Sequence, residues 1–189
     1  MSNDKRSLGN TGVQLLLAAV FFCSGALYAQ AAGKPAVNYT VMPKLQELKD
    51  HPPAPDFVLP DPAGRKVALK DFRGKVVLLG FWATWCEFCR EELPALQQLY
   101  QEFKGKGLEI VAVNIKDKRN DALAFVRKQK LSYPILMDPE GDIGLLYGAY
   151  ATPTVYLIDR KGVVLARQWG PAGWYSPAAR NLIKSLVEQ

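Results

Sequence analysis

The sequence predicts an α/β fold, a mixed β-sheet covered by helices. Two continuous apolar runs, KVVLLGFWA at 75–83 and GLEIVAVNI at 107–115, suit strands buried on both faces. Each is followed by a segment with apolar residues at helical spacing. Near the C-terminus two further strand-like runs are joined by a tight turn, and a last helical pattern closes the chain. Strands alternating with helices, then a hairpin and a helix, build a mixed sheet with helices on its faces. With 189 residues and 49% hydrophobic content, the chain has enough material for one domain with a proper core.

The first 31 residues read as a signal peptide or N-terminal membrane anchor. Lys5 and Arg6 precede an apolar run from Val13 to about Leu27, and Ala29-Gln30-Ala31 fits an A-x-A cleavage pattern. The stretch from Val13 to Ala32 also reaches the ~20 residues that span a bilayer, so cleavage and retention both stand. Either way Lys5 and Arg6 stay in the cytoplasm and the remainder is exported. Cys23 reads as an apolar member of this run, because Phe22 before it is not the small residue that a lipid-attachment signal wants. Residues 32–53, with Pro35, Pro43, Pro52 and Pro53, read as a linker. Within it KLQELKD, 44–50, could form a short helical turn.

The domain proper occupies 54–189. Residues 54–75, APDFVLPDPAGRKVALKDFRGK, predict a short strand, a turn at Asp61–Gly64, a second short strand and a turn ending at Gly74. After the strand at 75–83, residues 87 to about 104 carry Leu93, Leu96, Leu99, Tyr100 and Phe103 at helical spacing. After the strand at 107–115, NDALAFVRKQK predicts a helix capped by Asn120 or Asp121. YPILMD at 133–138 is a short strand and DIGLLYGAY at 142–150 a short helix. TVYLID and VVLARQW, joined by RKG, form a hairpin. The final helix opens with Ser176 as cap and Pro177 in its first turn.

Charge and residue counts exclude several functions. The formal charge is +6, but basic residues are mixed with acids and form no run with interleaved aromatics. That describes a solvated surface and not a nucleic-acid site. Structural zinc needs about four Cys or His ligands at paired spacings. Beyond Cys86 and Cys89 only Cys23 and the single histidine, His51, remain, so no metal site is expected. His51 sits in the proline-rich stretch, which leaves a Cys–His or Ser–His nucleophile without support.

The chemistry centres on WATWCEFCREELP, residues 82–94. Cys86 falls where a strand ends and a helix begins, and Cys89 lies one turn into that helix. A helix N-terminus presents unpaired N–H groups and the positive end of a dipole, both of which stabilise a thiolate. Cys86 is therefore the expected nucleophile, with Cys89 near enough to close a disulfide. A static short-loop disulfide is the alternative, though so small a loop restrains little chain entropy.

Together with APDFVLPD, LKDFRGKVVLLGFWATWC, LEIVAVNI, YPILMD and YATPTVYLIDRKGVV, in that order, this segment resembles the thioredoxin fold. In particular it resembles the exported, membrane-associated TlpA/ResA-like thiol–disulfide oxidoreductases, from about residue 54 to the C-terminus. The resemblance implies that Cys86 attacks a target disulfide and Cys89 resolves the mixed disulfide, with no cofactor beyond the redox-active Cys86–Cys89 pair. Trp85 would shape the surface beside it. Pro153, after Thr152, would be a cis-proline facing the cysteines, letting the neighbouring main chain pair with an extended substrate. Pro94 matches a helix kink. Glu92 corresponds to an acid that influences cysteine protonation, which burial would equip it to do; a solvated helix glutamate, like Glu91, is the alternative.

Two departures stand out. Gly80 replaces the buried aspartate of thioredoxin or the asparagine of many TlpA-like proteins, which shifts proton handling to Glu92 or water. Glu87 follows Cys86 directly, and its charge opposes the thiolate and makes the couple more reducing.

The function implied is reduction of disulfides in exported proteins of the bacterial envelope, such as those of cytochrome c or cytochrome oxidase maturation. A membrane thiol-transfer protein would supply electrons. The site of action would be the periplasm or the extracytoplasmic face of the inner membrane, with possible membrane attachment through residues 13–32. One alternative is a peroxiredoxin-like peroxide reductase, because 54–75 also resembles the opening of that family. The other is a thiol- or copper-binding chaperone, since two thiolates bind Cu(I). Substrate choice would rest on the surface around Trp85, Phe88 and Thr152. Trp169, Trp174 and Tyr175 would either extend that surface or pack at the core or an edge.

Overall fold

The computed structural model describes residues 37–42 and 44–189. The strands are β1 (Leu45–Glu47), β2 (Val58–Pro60), β3 (Lys66–Ala68), β4 (Val76–Trp82), β5 (Leu108–Ile115), β6 (Ile135–Asp138), β7 (Thr154–Ile158) and β8 (Val164–Trp169). The α-helices are α1 (Glu87–Phe103), α2 (Arg119–Lys128), α3 (Asp142–Leu146) and α4 (Pro177–Val187). Six strands form one sheet in the order β1-β8-β7-β4-β5-β6, and β2 and β3 make a separate hairpin. β4, β5 and β6 run parallel, whereas β7, β8 and β1 add antiparallel strands on the other side. This is the mixed, thioredoxin-like sheet that the sequence predicts.

The unbroken apolar runs of β4 and β5 have a direct cause. Both strands are central, and every residue in each is buried. Val76, Leu78 and Trp82 point to one core with Leu93, Leu96, Leu99 and Phe103 of α1 and Leu182, Ile183 and Leu186 of α4. Val77, Leu79 and Phe81 point the opposite way, to a second core with Phe57, Leu59, Leu69, Tyr147 and Tyr156. Successive strand side chains alternate between faces, so covering both faces requires apolar residues at every position. Gly80 belongs to the first face, between Leu78 and Trp82 and opposite Val155 of β7.

Three local expectations are corrected. Residues 44–50 hold no helical turn: Leu45, Gln46 and Glu47 pair with Gln168, Arg167 and Ala166 as an antiparallel edge strand. A turn this short cannot offset its own nucleation, whereas β8 offers a ready row of unpaired main-chain groups. The linker expected at 32–53 is, from residue 37 onward, part of the domain. Tyr39, Met42 and Leu45 enter the first core, and the Val164 N–H donates to the Pro52 carbonyl at 2.9 Å. The start of α2 also differs. It begins at Arg119 behind Lys118, which makes no side-chain cap, and Asp121 lies in its first turn, where its charge still favours the helix dipole. The cap of α4 is as expected, with Ser176 accepting from the Ala179 N–H at 3.2 Å.

The signal peptide or anchor expected at 1–31 lies outside the described residues. Among the described residues, no helix is long and apolar enough to cross a membrane.

Candidate active site

The site forms where β4 gives way to α1. Cys86 is the N-cap of this 17-residue helix, in extended backbone conformation, and Cys89 is in its first turn. The two Cα atoms stand 5.3 Å apart and a disulfide joins the sulfurs. Cys86 Sγ also accepts a hydrogen bond from the Cys89 N–H at 3.1 Å, so an otherwise unpaired amide of the first turn points at the sulfur. Cys86 retains 6% of its surface and Cys89 only 1%, which makes Cys86 the sulfur reachable from outside. The adjacent Trp85 and Phe88 are exposed.

The loop carrying Trp85 and Cys86 is tied down by a carboxylate that sequence reasoning missed. Asp117, after the end of β5, accepts from the Thr84 N–H at 2.6 Å, from the Thr84 hydroxyl at 2.9 Å and from the Asn114 amide at 2.7 Å. Parallel pairing of β4 with β5 brings these chain segments side by side. Nothing in the local sequence around Asp117 signals this, because its partner Thr84 lies 33 positions away.

Beneath the disulfide, Glu92 points inward while Glu91 faces solvent. Glu92 keeps 5% of its surface, and its Oε1 accepts from the Ala172 N–H at 3.0 Å. Burial raises its pKa from 4.5 to about 7, against the opposing pull of the Ala172 N–H, the Gln168 carboxamide and the Lys44 ammonium. Tyr133, also buried, donates to the Leu93 carbonyl at 3.2 Å; burial and then the Glu92 charge hold its phenol well above the usual range.

The Thr152–Pro153 bond is cis, as the resemblance implies. Pro153 lines a cavity of about 10 Å³ together with Gly80, Cys89 and Glu92. This gap borders Gly80, and it is near the size one water requires. A second hollow, of about 190 Å³, opens beside the pair and is lined by Trp85, Ile115, Lys116, Leu145, Tyr150 and Thr152. Thus Cys86, Cys89, Glu92, Trp85, Thr152 and Pro153 gather at one end of the sheet. Trp174 is fully buried in the first core, while Trp169 and Tyr175 are exposed. Among the described residues, no group of three or more His, Cys, Asp or Glu side chains could hold a metal ion.

A buried acid three residues behind a helix-capping disulfide is suited to thiol–disulfide exchange, and known proteins agree with that chemistry. The sequence profile of the AhpC/TSA family matches residues 51–167. Thiol-disulfide oxidoreductase ResA from Bacillus thuringiensis subsp. konkukian is 38% identical over 134 residues, covering 69% of this chain and 78% of that protein. ResA from Bacillus subtilis is 34% identical over 134 residues, with 69% and 75% covered. A crystal structure from Chlorobium tepidum, described as a DsbE-type thiol:disulfide interchange protein, superposes with a TM-score of 0.68 at 38% identity, over 72% of this chain and 96% of that one. The chain belongs to the AhpC/TSA family, among its ResA-like thiol–disulfide oxidoreductases.

Proposed function

We propose that this enzyme reduces disulfides in exported proteins of the bacterial envelope, including proteins of cytochrome c or cytochrome oxidase maturation. Cys86 thiolate attacks one sulfur of the target disulfide. That bond breaks, a mixed disulfide forms, and the released target sulfur takes up a proton. Cys89 then gives its proton to Glu92 and attacks Cys86 Sγ, so the target leaves with its second sulfur reduced. Two electrons have passed to the target and the Cys86–Cys89 disulfide is restored. A membrane thiol-transfer protein returns the pair to the dithiol, which an oxidising compartment makes necessary after each turnover.

The observation that carries this reading is the arrangement of Cys86 at the helix mouth with Cys89 and the buried Glu92 behind it. Trp85, Thr152 and Pro153 hold the substrate. Among the described residues, the Thr152 N–H and C=O have no hydrogen-bond partner, so an extended chain can pair there. The neighbouring 190 Å³ hollow, lined by apolar and polar groups in similar measure, then receives a side chain next to the target cysteine. The domain works outside the cytoplasm, reached through the export signal or anchor in residues 1–31.

Cys89→Ser tests the proposal. Expressed in an envelope-bearing host, it accumulates covalent adducts with disulfide-bearing partners that dithiothreitol releases, and the wild-type pair has a midpoint potential well below about −200 mV. Absence of adducts, or a potential near −120 mV, overturns the reading. Peroxide consumption or tight Cu(I) binding by the reduced protein in place of adducts would replace it.

A further inference from the structure

Gln168 has no role in the chemistry described so far, yet it occupies an unusual place. It is completely buried on β8, between Leu45 of β1 and Val155 of β7. Val155 lies two residues beyond Pro153. The Gln168 Nε2 donates to the Gly170 carbonyl, and its carboxamide lies beside Glu92, where it favours the charged carboxylate. Among the described residues, its Oε1 has no hydrogen-bond partner. A buried carbonyl oxygen left unpaired is costly, so such atoms call for an explanation.

The proton cycle of Glu92 provides one. When Cys89 gives up its proton, Glu92 changes from an acceptor-only carboxylate to a carboxylic acid with one O–H to donate. The Ala172 N–H that serves the carboxylate cannot accept that proton. The oxygen of the neighbouring Gln168 carboxamide has lone pairs suited to accept it. We infer that Gln168 is a positioning residue for proton transfer, its amide N–H supporting the Glu92 carboxylate and its Oε1 accepting the O–H of the acid. Both protonation states of Glu92 then keep a partner on one side chain, and the proton moves between Cys89 and Glu92 without rearranging the core. The other groups facing Glu92 do not replace it. Lys44, from the segment leading into β1, acts on the charged form alone. Tyr133 is engaged with the Leu93 carbonyl. Cys89 is the proton's source.

This inference rests on Glu92 being the proton acceptor for Cys89, and it is tested without turnover so that the two can fail separately. In the oxidised full-length protein, infrared difference spectra across pH report the Glu92 carboxylic C=O band, assigned by its loss in Glu92→Gln. Gln168→Met keeps similar bulk and removes both polar atoms. The expected result is a half-titration point raised by about one pH unit, since a buried carboxylate loses a hydrogen bond, with the acid band moved to the higher frequency of an unbonded carboxyl. A folded Gln168→Met protein with an unchanged midpoint and frequency overturns the inference. If Gln168→Met does not fold, side-chain amide NMR of the wild type decides. The Gln168 Nε2 protons should shift through the Glu92 titration and stay still in Glu92→Gln; no movement in the wild type refutes the role.

Discussion

Replacing Glu92 by glutamine isolates the free energy of burying its charge. The native carboxyl titrates at about 7, against 4.5 for an ordinary glutamate, because desolvation outweighs its polar contacts. Each pKa unit is about 1.4 kcal/mol, so the difference is about 3 kcal/mol. The sign follows from proton counts. Below pH 4.5 both folded and unfolded chains hold the proton. Between 4.5 and about 7 only the folded chain holds it, so folding stability falls as pH rises. Above that both are ionised and the contribution is flat. Glutamine stays neutral throughout and removes this fall. The stability gap between Glu92→Gln and wild type should therefore widen by about 3 kcal/mol in favour of the variant from pH 4 to pH 8. Urea unfolding of the oxidised proteins, followed by tryptophan fluorescence at several pH values, measures it. Other titrating groups are shared by both proteins and cancel in the difference. Parallel stability curves, within about 0.5 kcal/mol at every pH, would show that Glu92 is solvated and refute the reasoning.

Three more outcomes follow from the same contacts. Asp117→Ala leaves the Thr84 N–H and the Asn114 amide without their acceptor, and should cost about 2–3 kcal/mol in urea unfolding; a loss below about 0.5 kcal/mol would mean the active-site loop is held by other groups. Gly80→Ala places its Cβ 3.8 Å from Val155 and should be neutral or stabilising by up to about 1 kcal/mol, whereas Gly162→Ala, at φ +82°, should lose roughly 1–2 kcal/mol; equal effects on thermal unfolding would contradict both. Leu157→Ala, in the fully buried strand β7, should destabilise by about 3 kcal/mol, and a cost under about 1 kcal/mol would indicate that the first core collapses around the gap.

What could be read in the sequence is what local pattern encodes. The runs at 76–82 and 108–115 announce strands because two covered faces demand apolar residues at every position. Ser176 and Pro177 announce α4 because capping chemistry is confined to a few neighbouring residues. Cys86 and Cys89 were legible as a redox pair because their spacing and the strand-to-helix junction lie within one stretch of chain. β1 was misread because its reason to be extended is the free edge of β8, more than a hundred positions away. Asp117 escaped notice as a ligand of the active-site loop for the same reason.

Glu91 and Glu92 show the division most sharply. The sequence by itself determined that one glutamate lies a helical turn behind Cys89, on the same side of the helix. It could not determine that this carboxyl would be shut from water, because the groups that enclose and support it, Gly80, Lys44, Pro153, Gln168 and Ala172, come from other strands and loops. Sequence spacing sets which side chains share a helix face; a desolvated, poised acid exists only once the sheet and the segment after β8 have closed over that face.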